Sequence, residues 1–340
     1  MKTPAATILA SALLASVLLA ACLRLGDPSP QPSPATGEGA ASRPEDPSPL
    51  PDPGAGEIRQ AVERTLPYLE EHGVAWIDKF QCTSCHQVPV MIWTYHAAAE
   101  RGLEVDGGKL DEWDGWVLAD VRGKNSNNSD GMAQLILGRP AATDARSSEY
   151  AGLANLVAGH QRGDGSWHAG GQLPDQRRPQ EETHRVSTAW AVLALASVDE
   201  PGEVLGRGRA RVEEWLDEDG ESHEWLVVRL LYVHRFGDEA RERDLLARLL
   251  EEQHADGGWG WLRGEASDAF ATGQGLYALA LLGRPSDDPA VLRARRFLVD
   301  TQEADGSWAV RSTLEDGEGV TPTSRYWGTG WAAIGLLSTL

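Results

Sequence analysis

The residues best suited to chemistry in this 340-residue chain stand together at positions 82–86, where Cys82, Cys85 and His86 read Cys-x-x-Cys-His. Two thiols at this spacing share one side of a helical turn, and an imidazole follows directly. That is the pattern by which haem c is attached, with two thioethers to the porphyrin vinyls and His86 as the proximal iron ligand. Other chemistries share the spacing. A redox dithiol favours a helix start after a strand, and no strand precedes this segment. A zinc site needs a fourth ligand and usually more thiolates. A structural disulfide, or coincidence, needs nothing further. The sixth ligand decides whether such an iron carries electrons or does chemistry. Met91 follows His86 too closely on one helix to reach the opposite face of the iron. Met132 lies 46 residues on, in "DGMAQLILG", a setting that equally suits core packing. His96, His160 and His168 are further candidates, each also readable as a surface or capping residue.

The redox compartment bears on these alternatives. The chain opens "MKTPAATILASALLASVLLAAC": one Lys, an apolar run of export-signal length, then Leu19-Ala20-Ala21-Cys22. This resembles a bacterial lipoprotein signal peptide, in which the cysteine after the small residues is diacylated and becomes the new first residue. The resemblance implies lipidation at Cys22, a membrane contact through the lipid, and a place in the cell envelope, facing the periplasm or the outer surface. Covalent haem is attached in that compartment. A transmembrane helix is the alternative, but the run is short for a span.

Residues 23–55 are Pro, Ser, Gly and acid, with too little apolar surface to order them, and read as an extended tether. Composition changes near Glu57 to Leu-, Ala- and Trp-rich text, so the boundaries are signal 1–21, lipidated Cys and tether 22–56, folded domain 57–340. The first 55 residues hold three basic and five acidic groups, which leaves −18 of the net −20 on the domain. That excludes a nucleic-acid partner and a basic membrane-docking face.

Three segments of the domain answer one another: "HQRGDGSW" at 160–167, "EQHADGGW" at 252–259 and "TQEADGSW" at 301–308. Each is Gln, three residues, Gly, one residue, Trp, after one helical pattern and before another. Asp-Gly makes a tight turn, and a Trp on it buries much apolar area while its N–H finds an acceptor. Apolar periodicity and Gly/Pro/Asp breaks give about twelve helices, near 57–73, 87–101, 109–122, 130–138, 144–160, 185–198, 205–217, 221–235, 238–252, 268–283, 288–301 and 327–339. Strand-like alternation is almost absent. These repeats resemble those of the QW-repeat proteins, the terpenoid-cyclase and prenyltransferase superfamily that includes squalene-hopene cyclases. The resemblance implies an all-α (α/α)6 toroid in which "VSTAWAVLALASV", "FATGQGLYALALLG" and "WGTGWAAIGLLSTL" are equivalent inner helices. It extends to exported bacterial proteins that join a Cys-x-x-Cys-His-x-x-Pro segment to such a toroid. It does not carry over the catalytic residues: the Asp-x-Asp-Asp acid motif of squalene-hopene cyclases is missing, and so is the Asp/Cys/His zinc set of the protein prenyltransferases.

Polar residues at the entrances of inner helices are the candidates for a cavity site: Asp130, Glu182, Arg185, Asp268, Thr272, Arg325 and Tyr326. Asp268 is the favoured functional acid, because the small-residue helix face after it leaves room for a ligand. Helix capping competes at every one of these positions. Fold does not decide function, and three classes remain. One is a lipid-anchored haem protein, an electron-transfer or oxidoreductase component with a redox partner protein and an apolar small molecule in its cavity. The others are an isoprenoid cyclase- or transferase-like enzyme and a non-catalytic scaffold.

Overall fold

The computed structural model describes residues 52–340, apart from 84–86, 124–126, 141–145, 171–172 and 199–201. Cys22, Cys85 and His86 therefore lie outside the described residues. Twelve α-helices are found among those described: α1 Ala55–Phe80, α2 Val88–Glu100, α3 Gly107–Arg122, α4 Ser129–Leu137, α5 Ser147–Gly159, α6 Gln180–Ser197, α7 Glu203–Trp215, α8 His223–Phe236, α9 Glu239–Glu251, α10 Ala269–Leu281, α11 Pro289–Thr301 and α12 Pro322–Leu337. Between them lie one 3-10 turn, Leu173–Asp175, and four isolated β-bridges. No described helix is long and apolar enough to cross a membrane.

The even-numbered helices form a closed inner ring, each packed on its neighbours from α2 through α12 and back to α2, with the odd-numbered helices outside. Helix α1 packs on both α11 and α12 and closes the circle. This is the expected toroid. Composition follows position: α8 and α12 are buried almost throughout, whereas α9 buries a single residue, Leu249.

The three repeated turns are held alike. Each joins an outer helix to the next inner one and leans on the outer helix beyond. The Trp167, Trp259 and Trp308 indoles donate to the carbonyls of Val157, Leu249 and Leu298 at 2.6, 2.8 and 2.8 Å. Their backbone N–H groups donate to Thr188, Thr272 and Thr329 hydroxyls at 3.0, 3.0 and 3.1 Å. The glutamines reach outward: Gln161, Gln253 and Gln302 donate to the Val204, Ala290 and Ala61 carbonyls at 2.8, 2.9 and 2.8 Å. Their carbonyl oxygens accept from Arg207, Arg293 and Arg64 on those same helices. Gly165, Gly257 and Gly306 have φ of +86°, +90° and +84°, and each lies against the carbonyl of that arginine. The last turn thus fastens α11 to α1 and locks the ends of the domain together.

Three boundaries differ from the sequence reading. Helix α1 runs on to Phe80 through Pro67. Helix α6 starts at Gln180, just after Pro179. Helix α12 starts at Pro322, where Thr321 and Ser324 form a reciprocal capping box that apolar periodicity does not report.

Candidate functional site

The outer-to-inner connections share one rim, where the inner helices begin. There a cavity of about 30 Å3, room for roughly two waters, lies inside the ring. Its walls are Trp93 of α2, Trp190 of α6, and Trp327 and Trp331 of α12, with the rings of Trp93 and Trp331 5.3 Å apart and those of Trp190 and Trp331 5.8 Å apart. Its polar lining includes Asp130, Gln134, Arg178, Ser187 and Glu224.

Asp130, in the first turn of α4, accepts from the Gly170 N–H at 2.8 Å and from Ser187. Burial pushes its carboxyl above the usual carboxylate range, against those two hydrogen bonds. Glu224, in the first turn of α8, accepts from Arg178 at 2.9 Å through one oxygen. Its other oxygen accepts from the Trp190 indole and the Gln274 amide, both at 3.2 Å. Arg178 also donates to Thr183 and Ser222 hydroxyls at 3.1 and 3.2 Å, so this buried charge pair is well supplied with hydrogen bonds.

Of the candidates named from sequence, Asp130 alone lines this cavity. Glu182 is buried and accepts from the Glu221 and Ser222 N–H groups at 2.7 and 2.8 Å, securing the start of α8. Arg185 pairs with Glu218. Thr272 holds the Trp259 turn. Arg325 ties α12 to Glu303 and Ser307 of the last turn, at 2.6 and 2.9 Å. The Tyr326 hydroxyl donates to the Leu69 carbonyl at 3.0 Å and binds α12 to α1. Asp268 caps α10, one oxygen accepting from Ala271 N–H at 2.8 Å and the other from Trp261 N–H at 2.9 Å, while burial pushes its carboxyl up to about 6. The small face of α10 leaves no room for a ligand, because Gly273 lies against the backbone of Trp331, and a Cβ on Gly335 would stand 2.5 Å from the Gly273 carbonyl. The glycines serve close helix packing instead. Met132 is fully buried in the core, and His96 is buried against Asp114 at 3.0 Å rather than on the surface. His160 bonds to Ser129 at 2.9 Å, and His168 stacks edge-on with His184.

Sequence reasoning missed Arg178, Glu224, Gln134 and the four tryptophans. A signal for two of them lay in the repeats. The residue two positions after each turn-holding threonine points toward the hollow: Trp190 after Thr188 and Trp331 after Thr329 line it, and Gln274 after Thr272 reaches Glu224 beside it.

The first of the haem-motif residues, Cys82, lies on this same rim in the α1–α2 connection, where other connections carry the Gln–Trp turn. It is half-buried, and its carbonyl accepts from the Trp76 indole at 2.9 Å. Thr83 donates its N–H to Asp120 of α3 at 2.7 Å, and its carbonyl accepts from Asn128, the N-cap of α4, at 3.0 Å. Beside them Phe80 is 48% exposed, its ring 4.2 Å from that of Trp76 and tilted 39° to it, with the Lys79 ammonium 4.9 Å from its ring centre. Thr83 Oγ1 and Gln87 Oε1, on either side of residues 84–86, are buried without a hydrogen-bond partner among the described residues.

The helix order and the repeated turns define a squalene-hopene-cyclase-like α/α toroid. Residues 222–307 match the model of the squalene-hopene cyclase N-terminal domain. The chain is 40% identical over 73 residues to a cycloartenol synthase of Dictyostelium discoideum, which is 21% of this chain and 10% of that protein. It is 36% identical over 90 residues to a drimenyl diphosphate synthase of Streptomyces showdoensis, 25% of this chain and 17% of that one. The matches thus span less than a fifth of each relative's length. Among solved structures, a type II terpene cyclase from Scytonema in complex with geranylgeranyl dihydroxybenzoate superposes with a TM-score of 0.54 at 14% identity, over 84% of this chain and 97% of that one. A possible member of the GH105 family from Klebsiella pneumoniae gives 0.58 at 15%, over 88% and 98%. Likeness at this level concerns the fold alone, and it spans two chemistries.

Proposed function

We propose that the chain is a lipid-anchored c-type haem protein of the cell envelope, an electron-transfer or oxidoreductase component built on a cyclase-like toroid. One observation carries the reading: Cys82, which opens the Cys-x-x-Cys-His segment, lies in a connection at the rim where other connections carry a repeat turn, beside Trp76 and the exposed Phe80. Phe80 and Trp76 offer aromatic surface against which a macrocycle could pack, and Thr83 Oγ1 and Gln87 Oε1, without partners among the described residues, flank the segment. Cys82 and Cys85 would hold the haem and His86 its iron. Bound haem would supply one-electron chemistry, while this chain's residues fix the segment through Asp120 and Asn128. The test is a pyridine haemochrome spectrum of protein matured with a cytochrome c assembly system and stripped of loose haem. A c-type spectrum, lost in Cys85→Ala with the far-ultraviolet helical signal retained, is the expected result. A colourless, folded wild type overturns the reading, and an unfolded Cys85→Ala makes the pair structural.

A second reading, an isoprenoid cyclase- or transferase-like enzyme, is favoured by Asp130, a buried carboxyl held above its usual range beside four tryptophans. It draws on the cyclase relatives. The size of the cavity counts against it, since a prenyl chain requires the tryptophan walls to part. Turnover of squalene or a polyprenyl diphosphate, abolished by Asp130→Asn, would establish it.

A further inference from the structure

The cavity carries a charge pattern that neither reading uses. Asp130, Glu224, Arg178 and Ser187 are each more than nine-tenths buried at its lining. Arg178 is committed to Glu224, so with Asp130 ionised these three charged groups leave one negative charge without a counter-ion. One acceptor at the lining is idle as well: Gln134 Oε1 has no donor among the described residues. The remaining surface is indole together with the aliphatic side chains of Leu137, Leu173 and Val186.

A buried carboxyl that a bound cation would hold ionised, an idle carbonyl oxygen and π faces are complementary to a group that is positive, donates hydrogen bonds and carries a little apolar surface. We propose that this cavity binds a small organic ammonium ion, of about the size of methylammonium. Water would satisfy the carbonyl and leave the charge unbalanced. An alkali cation would balance the charge, but it wants a shell of oxygens where this site has tryptophans. The volume sets the size, because about 30 Å3 admits a methylated amine and excludes a quaternary one. Burial is the main reason the Asp130 carboxyl stands above its ordinary range, opposed by its two hydrogen bonds and by Arg178.

The proposal rests on neither functional reading, and its test needs neither haem nor turnover. The mature protein is titrated with methylammonium chloride at constant ionic strength, and tryptophan emission is followed. Two heavy atoms cannot bind more tightly than the millimolar range, so the titration runs to about 100 mM. The expected result is a saturable change with a millimolar midpoint, absent with potassium and with tetramethylammonium. Asp130→Asn should weaken it tenfold or more. If that variant fails to fold, Gln134→Leu, which removes an idle acceptor, should shift the midpoint upward severalfold. No saturation would mean that the cavity holds water only. An equal response to potassium, or unchanged binding in whichever variant folds, also overturns the proposal.

Discussion

If the repeated turns fasten each outer helix to the next, then a methyl group between turn and helix should cost far more than the same methyl group on an equally strained but open loop. Gly165 and Gly264 make the comparison. Their φ values are +86° and +83°, so an alanine at either meets the same left-handed backbone strain, about 1–2 kcal/mol, partly offset by about 0.4–1 kcal/mol from the stiffer unfolded chain. A Cβ on Gly264 meets nothing within 4 Å, whereas one on Gly165 would stand 2.7 Å from the Arg207 carbonyl oxygen. The neighbour is helix backbone, which cannot rotate away, so the turn or α7 must move by several tenths of an ångström. Overpacking of that kind costs about 1–3 kcal/mol. The shift also stretches the Gln161 to Val204 hydrogen bond, worth about 1 kcal/mol. Gly165→Ala should therefore lose about 3–4 kcal/mol and Gly264→Ala about 1.

Urea unfolding followed by tryptophan emission reads this directly, because several of the chain's 13 tryptophans change environment on unfolding. An unchanged m-value with a lower midpoint would mark a loss of stability without a change in the surface exposed on unfolding. Equal losses in the two variants would refute the reasoning, since the Gly165 turn would then not bear on α7.

Trp308→Ala should cost about 3–5 kcal/mol, the range for buried tryptophan truncations, because Trp308 is buried and its indole serves the Leu298 carbonyl. A loss under about 1 kcal/mol in the same urea assay would mean that the last turn does not lock the ring. Asp268 predicts a pH effect: its carboxyl ordinarily titrates near 3.8 and is raised to about 6 in the fold. The folded chain then holds a proton that the unfolded chain releases, so this group's contribution to stability declines as pH rises from about 4 to about 6. Thermal midpoints across that window should fall less steeply in Asp268→Asn than in wild type, and identical slopes would count against it.

How much of this could be read from sequence depends on whether the information is periodic. The twelve helices follow from apolar spacing, the toroid from the family resemblance that three copies of one turn carry, and the copies agree in their hydrogen bonds because each solves the same packing problem. The site does not repeat in that way. Glu182, Arg185, Asp268 and Thr272 stand at or near inner-helix starts, where orphan N–H groups and neighbouring turns claim their polar atoms. Arg178 comes from an irregular segment with no pattern to mark it, and Glu224 looks like any first-turn acid until Arg178 is placed against it. The clue that survived was the position two residues after each threonine, visible only once three helices are aligned by their turns.

The same comparison bears on the haem motif. A connection carrying Gln and Trp is fixed by its own side chains to two helices, so its sequence is committed to holding the ring. The α1–α2 connection is held otherwise, by Asp120 and Asn128 gripping the Thr83 backbone and by Trp76 reaching the Cys82 carbonyl. Two of these contacts land on main-chain oxygens and one on a main-chain N–H. The ring is therefore closed at this connection by main-chain anchoring of Cys82 and Thr83 rather than by a Gln–Trp turn.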